Sequence, residues 1–351
     1  MTADTEPEKK QGGDDVADLK TAATATVTEG DRQAPTTDES ALQAEDDAAS
    51  STASINSSIM AYRTENGRTY HAFRESINYV LPNDSSEQER LDLQHHLFTL
   101  TLGGKLYLSP IGDDKPLSRA LDAGTGTGVW AIDFADAHPE TQVIGIDLSP
   151  IQPNFLPTNL QFQVDDLEDE WTFSYNFDFI FARMMTGSIG DFPKFFTQSF
   201  NALSPGGWVE CQDITFPAQC DDGTLKKDSY IDQWSSLMIE ATNKFGRTAE
   251  SAKFYKQQMI DAGFVNVTEV VYKWPTNRWP ADPYYKELGF WCNHNIAGEL
   301  SGLSMVLFTR GLGWSPEEVE VFLAKVRTDM KDRRIHAWWP IHVVYGQKPE
   351  A

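Results

Sequence analysis

The sequence predicts an α/β chain built on a doubly wound, Rossmann-like parallel sheet of seven strands, with helical cap segments before and after it. Three observations predict it. From Arg119 onward, short apolar runs alternate with helical stretches, the pattern of strands buried on both faces by crossover helices. A glycine-rich turn, Gly124-Thr-Gly126-Thr-Gly128, joins the first apolar run to a helix. The second and third runs end in acids, Asp147 and Asp165-Asp166, at the strand ends where open α/β sheets bind their ligands.

Residues 1–58 hold 13 acids against 4 bases and none of the 41 aromatics, the first of which is Tyr62. Such a segment cannot bury enough apolar surface to offset its chain entropy, so a disordered acidic tail is expected there. Residues 59–118 are expected to form a helical cap. SSEQERLDLQHHLFTLTLGGKL offers Ser85 or Ser86 as N-cap, Glu89 as partner of Ser86 in a capping box, and Gly103-Gly104 as a stop. Residues 119–351 are expected to hold the sheet domain. Its strands are placed at 120–123, 143–148, 159–166 and 177–184, and a helix at 191–203. Pro205-Gly206-Gly207 then turns into a strand at 208–214. A helix at 249–262 and a strand at 264–274 follow, then an irregular, aromatic-rich stretch at 275–312 with helical pieces. The helix at 315–333 is well signalled, with Ser315 as cap, Pro316 in the first turn, acids leading and bases trailing. A strand at 336–349 closes the chain, and cap insertions are expected near 218–248 and 276–313.

Of the 351 residues, 29 are Lys or Arg and 52 Asp or Glu, a net charge of −23. This excess argues against nucleic-acid binding, which needs a basic footprint to displace counterions, and against docking on an anionic membrane. No apolar stretch is long enough to span a bilayer. The first residues have no apolar core for a secretory signal and are too acidic for a transit peptide. Cys211, Cys220 and Cys292 form neither a disulfide framework nor a CxxC pair. A cytoplasmic or nuclear protein is therefore expected. The oligomeric state is left open.

The glycine turn admits tight backbone bending and close approach of a ligand, and the helix after it aims free N–H groups at that ligand. A purely structural turn or a nicotinamide-dinucleotide site fits the same residues, although the G-x-x-G half of the dinucleotide fingerprint is missing. Asp147 can accept both hydroxyls of an adenosine ribose, or it can cap the turn before Ser149-Pro150. Asp165 and Asp166 can accept from an adenine amino group, or they are solvated loop acids.

Together the stretches LDAGTGTGVWAIDFA, VIGIDLSP, FQVDDLED, FDFIFARMM and LSPGGWVECQD resemble class I S-adenosylmethionine-dependent methyltransferases over about residues 119–214. YRTENGRTYHAFRE, DLSPIQPNFLP, KELGFWCNHN and IHAWWPIHVVYGQKPE extend the resemblance to the fungal LaeA-like branch, linked to secondary metabolism, over nearly everything after residue 60. The resemblance implies S-adenosyl-L-methionine as cofactor, S-adenosyl-L-homocysteine as product and a small-molecule methyl acceptor. It equally implies an alternative, a regulatory protein acting through nuclear protein partners with little turnover. Residue by residue, it implies that Asp122, Gly124, Thr125, Gly126 and Gly128 hold the methionine part and Asp147 the ribose. Asp165 and Asp166 would lie near the adenine, with Leu148 and Leu167 packing on the base. Arg183 and Met184 would border the methyl-transfer pocket. Tyr62, Arg68 and Tyr70 would belong to a segment closing over the cofactor.

Methyl transfer from a sulfonium needs alignment and exclusion of water more than it needs acid or base, and a base only where the acceptor atom carries a proton. His95 and His96, adjacent on the first helix, and His294 are the candidate bases. The aromatic residues of 272–345 are expected to be core first and acceptor pocket second. No metal-ligand constellation is present, so no metal is expected.

Overall fold

Alternation along the strands decides the layering. The computed structural model describes residues 62–73, 79–112 and 116–350; the acidic tail expected at 1–58 lies outside the described residues. Five parallel strands form the heart of the sheet: β3 (Arg119–Ala123), β4 (Gln142–Asp147), β5 (Leu160–Val164), β6 (Phe177–Arg183) and β7 (Leu203–Ile214). Successive side chains point to opposite faces, and neighbours along these strands enter different cores. Leu121, Ile144, Ile180 and Val209 pack with Phe195 and Phe196 of α3 (Phe192–Ala202) and with Tyr255 and Met259 of α5 (Tyr255–Asp261). Ala120, Val143, Phe179 and Phe181 pack with Trp130, Ala131 and Phe134 of α2 (Val129–Ala137). This two-sided burial is what the short, continuous apolar runs signal.

The strand order is β5-β4-β3-β6-β7, followed by β10 (Ala337–Gln347). β10 runs antiparallel to β7 and pairs by its other edge with β9 (Val265–Pro275); the two-residue β8 (Gln219–Cys220) pairs with its first residues. The order turns at β3, which pairs with β4 on one side and β6 on the other. Such a switch point opens a crevice at the carboxyl ends of the strands.

A third core covers that end. Ile214, Trp274, Trp339 and Ile341, at one end of β7, β9 and β10, meet α1 (Ser85–Thr101), α4 (Tyr230–Lys244), α6 (Pro283–Ala297), α7 (Leu300–Val306) and α8 (Pro316–Lys331). Trp274, Phe308 and Trp339 are fully buried there, whereas Tyr284 and Tyr285 are exposed. No helix among the described residues is long and apolar enough to cross a membrane.

Several local expectations change. The stretch from Tyr62 is a hairpin rather than helix: β1 (Arg63–Glu65) pairs with β2 (Arg68–Tyr70) around Asn66 and Gly67, whose φ of 49° and 76° suit an Asn-Gly turn. The N-cap of α1 is Asp84, not Ser85 or Ser86. Its carboxylate accepts the Glu87 N–H at 3.1 Å and the Arg68 guanidinium at 2.5 and 2.8 Å, a pairing across 16 residues that local capping rules do not contain. β7 starts at Leu203, passing through the Pro-Gly-Gly expected to be a turn. The helix expected at 249–262 starts as a 3-10 turn, Ser251–Phe254, before α5. The stretch 275–312 holds two full helices, α6 opened by Asp282 and Pro283, and α7, which runs on into a π turn at Leu307–Gly311. The capping box of Ser315 and Glu318 opens α8 as its sequence signals.

Candidate active site

The turn after β3 is fixed by its own backbone. Gly124, Gly126 and Gly128 have φ of 82°, 56° and 82°, a region that L side chains avoid. A Cβ on Gly124 would lie 2.2 Å from Met185 Sδ, and one on Gly128 2.4 Å from Phe162 Cζ. The N–H groups of Gly124 and Thr125 both donate to the Ile146 carbonyl at 2.9 Å, tying the turn to β4. At the end of β4, Asp147 accepts the Gly126 N–H at 2.8 Å on Oδ2 and the Ser149 N–H at 2.9 Å on Oδ1. Burial raises its pKa, and those N–H bonds oppose the rise. Asp122 is 2% exposed and accepts the Thr125 hydroxyl at 2.6 Å. Burial pushes its carboxyl up to about 7, against the pull of Thr125 and Arg183. Asp165 is exposed and Asp166 half-buried, and Leu167 is buried beside them.

A cavity of about 220 Å³ joins these groups. Asp122, Gly124, Thr125 and Gly126 line it from the turn, Asp147 and Leu148 from the end of β4, and Asp165, Asp166 and Leu167 from the loop after β5. Gly128 stands behind this wall, against Phe162. The cavity continues past Arg183 and Met184 to Ile214, Phe216, Trp234 and Met238.

Arg183, at the end of β6, is held on every side. Its Nε donates to Gln212 at 2.9 Å, Nη2 to the Leu106 carbonyl at 3.2 Å and Nη1 to His95 Nδ1 at 3.2 Å. Its guanidinium carbon lies 4.6 Å from the Phe98 ring centroid and 5.0 Å from that of Phe181. Burial lowers its pKa to about 9, and the charges of Asp122 and Glu210 resist that fall. His95 Nε2 lies 3.0 Å from Asp133 Oδ2. A guanidinium only donates and a carboxylate accepts, so the His95 ring carries its proton on Nε2 and offers its Nδ1 lone pair to Arg183. Burial first, and Arg183 second, lower its pKa.

The structure brings only His95 of the three histidine candidates to the cavity. His96 is exposed and meets the Trp291 ring edge-on at 4.9 Å. His294 is exposed and bonds through Nδ1 to the Phe290 carbonyl of its own helix at 2.8 Å. Tyr62, Arg68 and Tyr70 do not line the cavity either. Arg68 clamps the hairpin to Asp84 and to Glu299 at 3.1 Å, Tyr70 is buried in the cap core, and the Tyr62 hydroxyl reaches toward the Pro150 carbonyl at 3.5 Å.

Residues not anticipated from the sequence complete the wall. α1 turns Glu87, Arg90 and Gln94 into the cavity beside His95, where Asn295 of α6 meets them. The first three are 2%, 7% and 3% exposed. Their spacing of three and four residues puts them on one helical face, and a polar stripe at that spacing was the available signal.

Comparison with known proteins closes the case. A methyltransferase-domain family model matches residues 93–269. Over 305 residues the chain is 41% identical to methyltransferase pytC of Aspergillus terreus, an alignment covering 86% of this chain and 93% of pytC. The chain belongs to the class I S-adenosylmethionine-dependent methyltransferases, in their LaeA-like branch. It is also 36% identical over 291 residues to the secondary metabolism regulator LAE1 of Cochliobolus heterostrophus, covering 82% of this chain and 94% of LAE1. Among solved structures, phosphoethanolamine N-methyltransferase 2 of Haemonchus contortus with S-adenosyl-L-methionine aligns at a TM-score of 0.40 and 17% identity, over 78% of this chain and 54% of that one.

This methyltransferase uses S-adenosylmethionine, and its residues fit that group. An ionised carboxylate has about four lone-pair sites. The backbone N–H groups of Gly126, Leu148 and Ser149 approach the Asp147 oxygens, which leaves lone-pair capacity for a ribose hydroxyl.

Proposed function

We propose that this methyltransferase acts on a small molecule of fungal secondary metabolism. The observation that carries the reading is the single cavity, which runs from the acid-ended strands β4 and β5 past Arg183 into an apolar chamber under the cap helices. The cofactor and an acceptor can therefore meet away from water.

Bound S-adenosylmethionine supplies a methyl group on a sulfonium, already activated for displacement by the acceptor atom. In this reading Asp147 holds the ribose hydroxyls, and Asp165 and Asp166 face the adenine between Leu148 and Leu167. The turn of Gly124, Thr125, Gly126 and Gly128 receives the methionine part beside Asp122. A cation there would favour the charged form of the Asp122 carboxyl, which burial otherwise opposes. Arg183 balances Asp122 and borders the transfer region with Met184. His95 is a positioning residue: with its free lone pair committed to Arg183, it aims the guanidinium rather than taking a proton. The cap formed by 59–118 and by the insertions near 218–248 and 276–313 shuts water out, which is where the main catalytic gain of such a displacement lies. The three free cysteines support a cytoplasmic or nuclear setting.

The second reading, a regulator working through protein partners, is supported by the likeness to LAE1. The test measures binding of S-adenosylhomocysteine by calorimetry. Micromolar affinity in the wild type and a loss of more than tenfold in Asp147→Ala are expected; equal affinity in the two would remove the proposed site.

A further inference from the structure

The far chamber of the cavity has a defined chemistry. Ile214 and Phe216 follow from the end of β7, Trp234 and Met238 lie one turn apart on α4, and Leu303 and Leu307 lie one turn apart at the end of α7. The indole N–H of Trp234 is already satisfied by Ser304 Oγ at 2.9 Å, and its fully buried ring backs the chamber. Phe216 packs against it at 5.5 Å. This is a wall built for a flat apolar group.

One polar cluster interrupts it. Arg90 is clasped by Glu87 through two bonds, at 2.8 and 2.6 Å. Its charge is therefore matched inside the protein. A third N–H donates to Asn295 Oδ1 at 3.0 Å, leaving two of the five guanidinium donors without an acceptor among the described residues. Gln94 also donates to Asn295 Oδ1, at 3.5 Å. Asn295 is 1% exposed and lines the cavity, and its Nδ2 donates to nothing among the described residues. A buried donor left unpaired is costly, and the spare groups of Arg90 and Asn295 are donors on a cluster whose charge is already balanced.

Building on the small-molecule reading above, we infer that the acceptor is an uncharged, largely aromatic molecule with a carbonyl or similar oxygen, its rings beside Phe216 and Met238 and its oxygen held by Asn295 and Arg90. A carboxylate or phosphate fits poorly, because Glu87 has taken the charge of Arg90.

The test uses the full chain saturated with S-adenosylhomocysteine and the neutral fluorescent ketone 6-propionyl-2-(dimethylamino)naphthalene as probe. Bound probe should brighten and shift to the blue. 2-Acetylnaphthalene should displace it at least tenfold better than 2-naphthoate does. Asn295→Ala and the near-isosteric Asn295→Asp should each weaken probe binding three- to tenfold, and Met238→Trp, which fills the chamber, should abolish it. Calorimetry with S-adenosylhomocysteine on the same variants reports whether the fold and the cofactor site survive. Displacement by 2-naphthoate equal to or better than that by the ketone, or probe binding untouched by Met238→Trp, would overturn the inference. Intact cofactor binding alongside either result would leave the cofactor assignment standing.

Discussion

The two halves of the cavity are built on different principles. The cofactor half lies within one continuous stretch, from Asp122 to Arg183, and is largely backbone: positive-φ glycines, N–H groups aimed at Asp147, and the ends of parallel strands. The acceptor half gathers side chains from α1, α4, α6 and α7, more than 200 positions apart in the chain, with Arg90 touching Asn295. The first cannot change without disturbing the sheet. The second can change side chain by side chain while the sheet stays intact, and so one fold can serve many acceptors.

The largest effect is expected where the acceptor half leans on a buried ion pair. Glu87→Ala leaves Arg90 charged and unpaired, at a cost of about 3–5 kcal/mol. Thermal unfolding should fall on the order of 10 °C, and Glu87→Gln with Arg90→Met should restore most of it. An unchanged melting temperature in Glu87→Ala would show that the cluster is wet and the comparison is wrong. Next, Asp147→Ala should cost more than tenfold in S-adenosylhomocysteine affinity, about 1.4 kcal/mol or more, while the naphthyl ketone probe keeps its affinity within twofold. Loss of both together would merge the two halves into one site.

Smaller effects separate the charges along the seam. Burial and Arg183 lower the His95 pKa from 6.5. The unfolded chain therefore takes up a proton as pH falls through 6.5 and the folded one does not, so stability is lost on that side. Nitrogen-15 spectra should show a ring that carries its proton on Nε2 and charges only below pH 6.5. A His95→Gln variant should melt with a shallower slope between pH 7 and 5.5; a ring that charges at its ordinary pKa would return His95 to the list of bases. A further pH effect concerns Asp122, raised to about 7 from 3.8. Between about pH 4 and 7 the folded protein keeps a proton that the unfolded chain has released, so stability falls as pH rises through that window. Asp122→Asn should flatten that part of the melting-temperature profile, and an unaltered slope would place the pH dependence elsewhere.

The sheet and the turn were legible because their signals are local. Short apolar runs, a G-x-G-x-G turn and acids at strand ends are each read within a few positions. The acceptor half was not, and α1 shows why. Leu97 and Phe98 mark its inner face at one end, but the buried residues at the other end are Glu87, Arg90 and Gln94. Hydrophobic periodicity reads such residues as solvent-facing, because the partner that permits their burial, Asn295, arrives 205 positions after Arg90. The hairpin at Tyr62 failed for a nearer reason. Its Asn66-Gly67 turn carries the signal, but three-residue strands are too short to show alternation. His96 was a candidate because one of two adjacent histidines on α1 should face inward, and His294 because it lies among aromatics, yet both are exposed and meet Trp291 and Phe290 instead.

α1 also stands over the glycine turn. Asp92 accepts the Thr127 hydroxyl at 2.7 Å, Leu91 lies 3.3 Å from where a Cβ on Gly126 would be, and the same helix presents the adjacent Arg90 and, one turn on, His95 to the rest of the cavity. One rigid rod thus touches both ligands. Whatever firms its seat over the turn also firms the seat of Arg90, and thermodynamic reciprocity makes the help mutual.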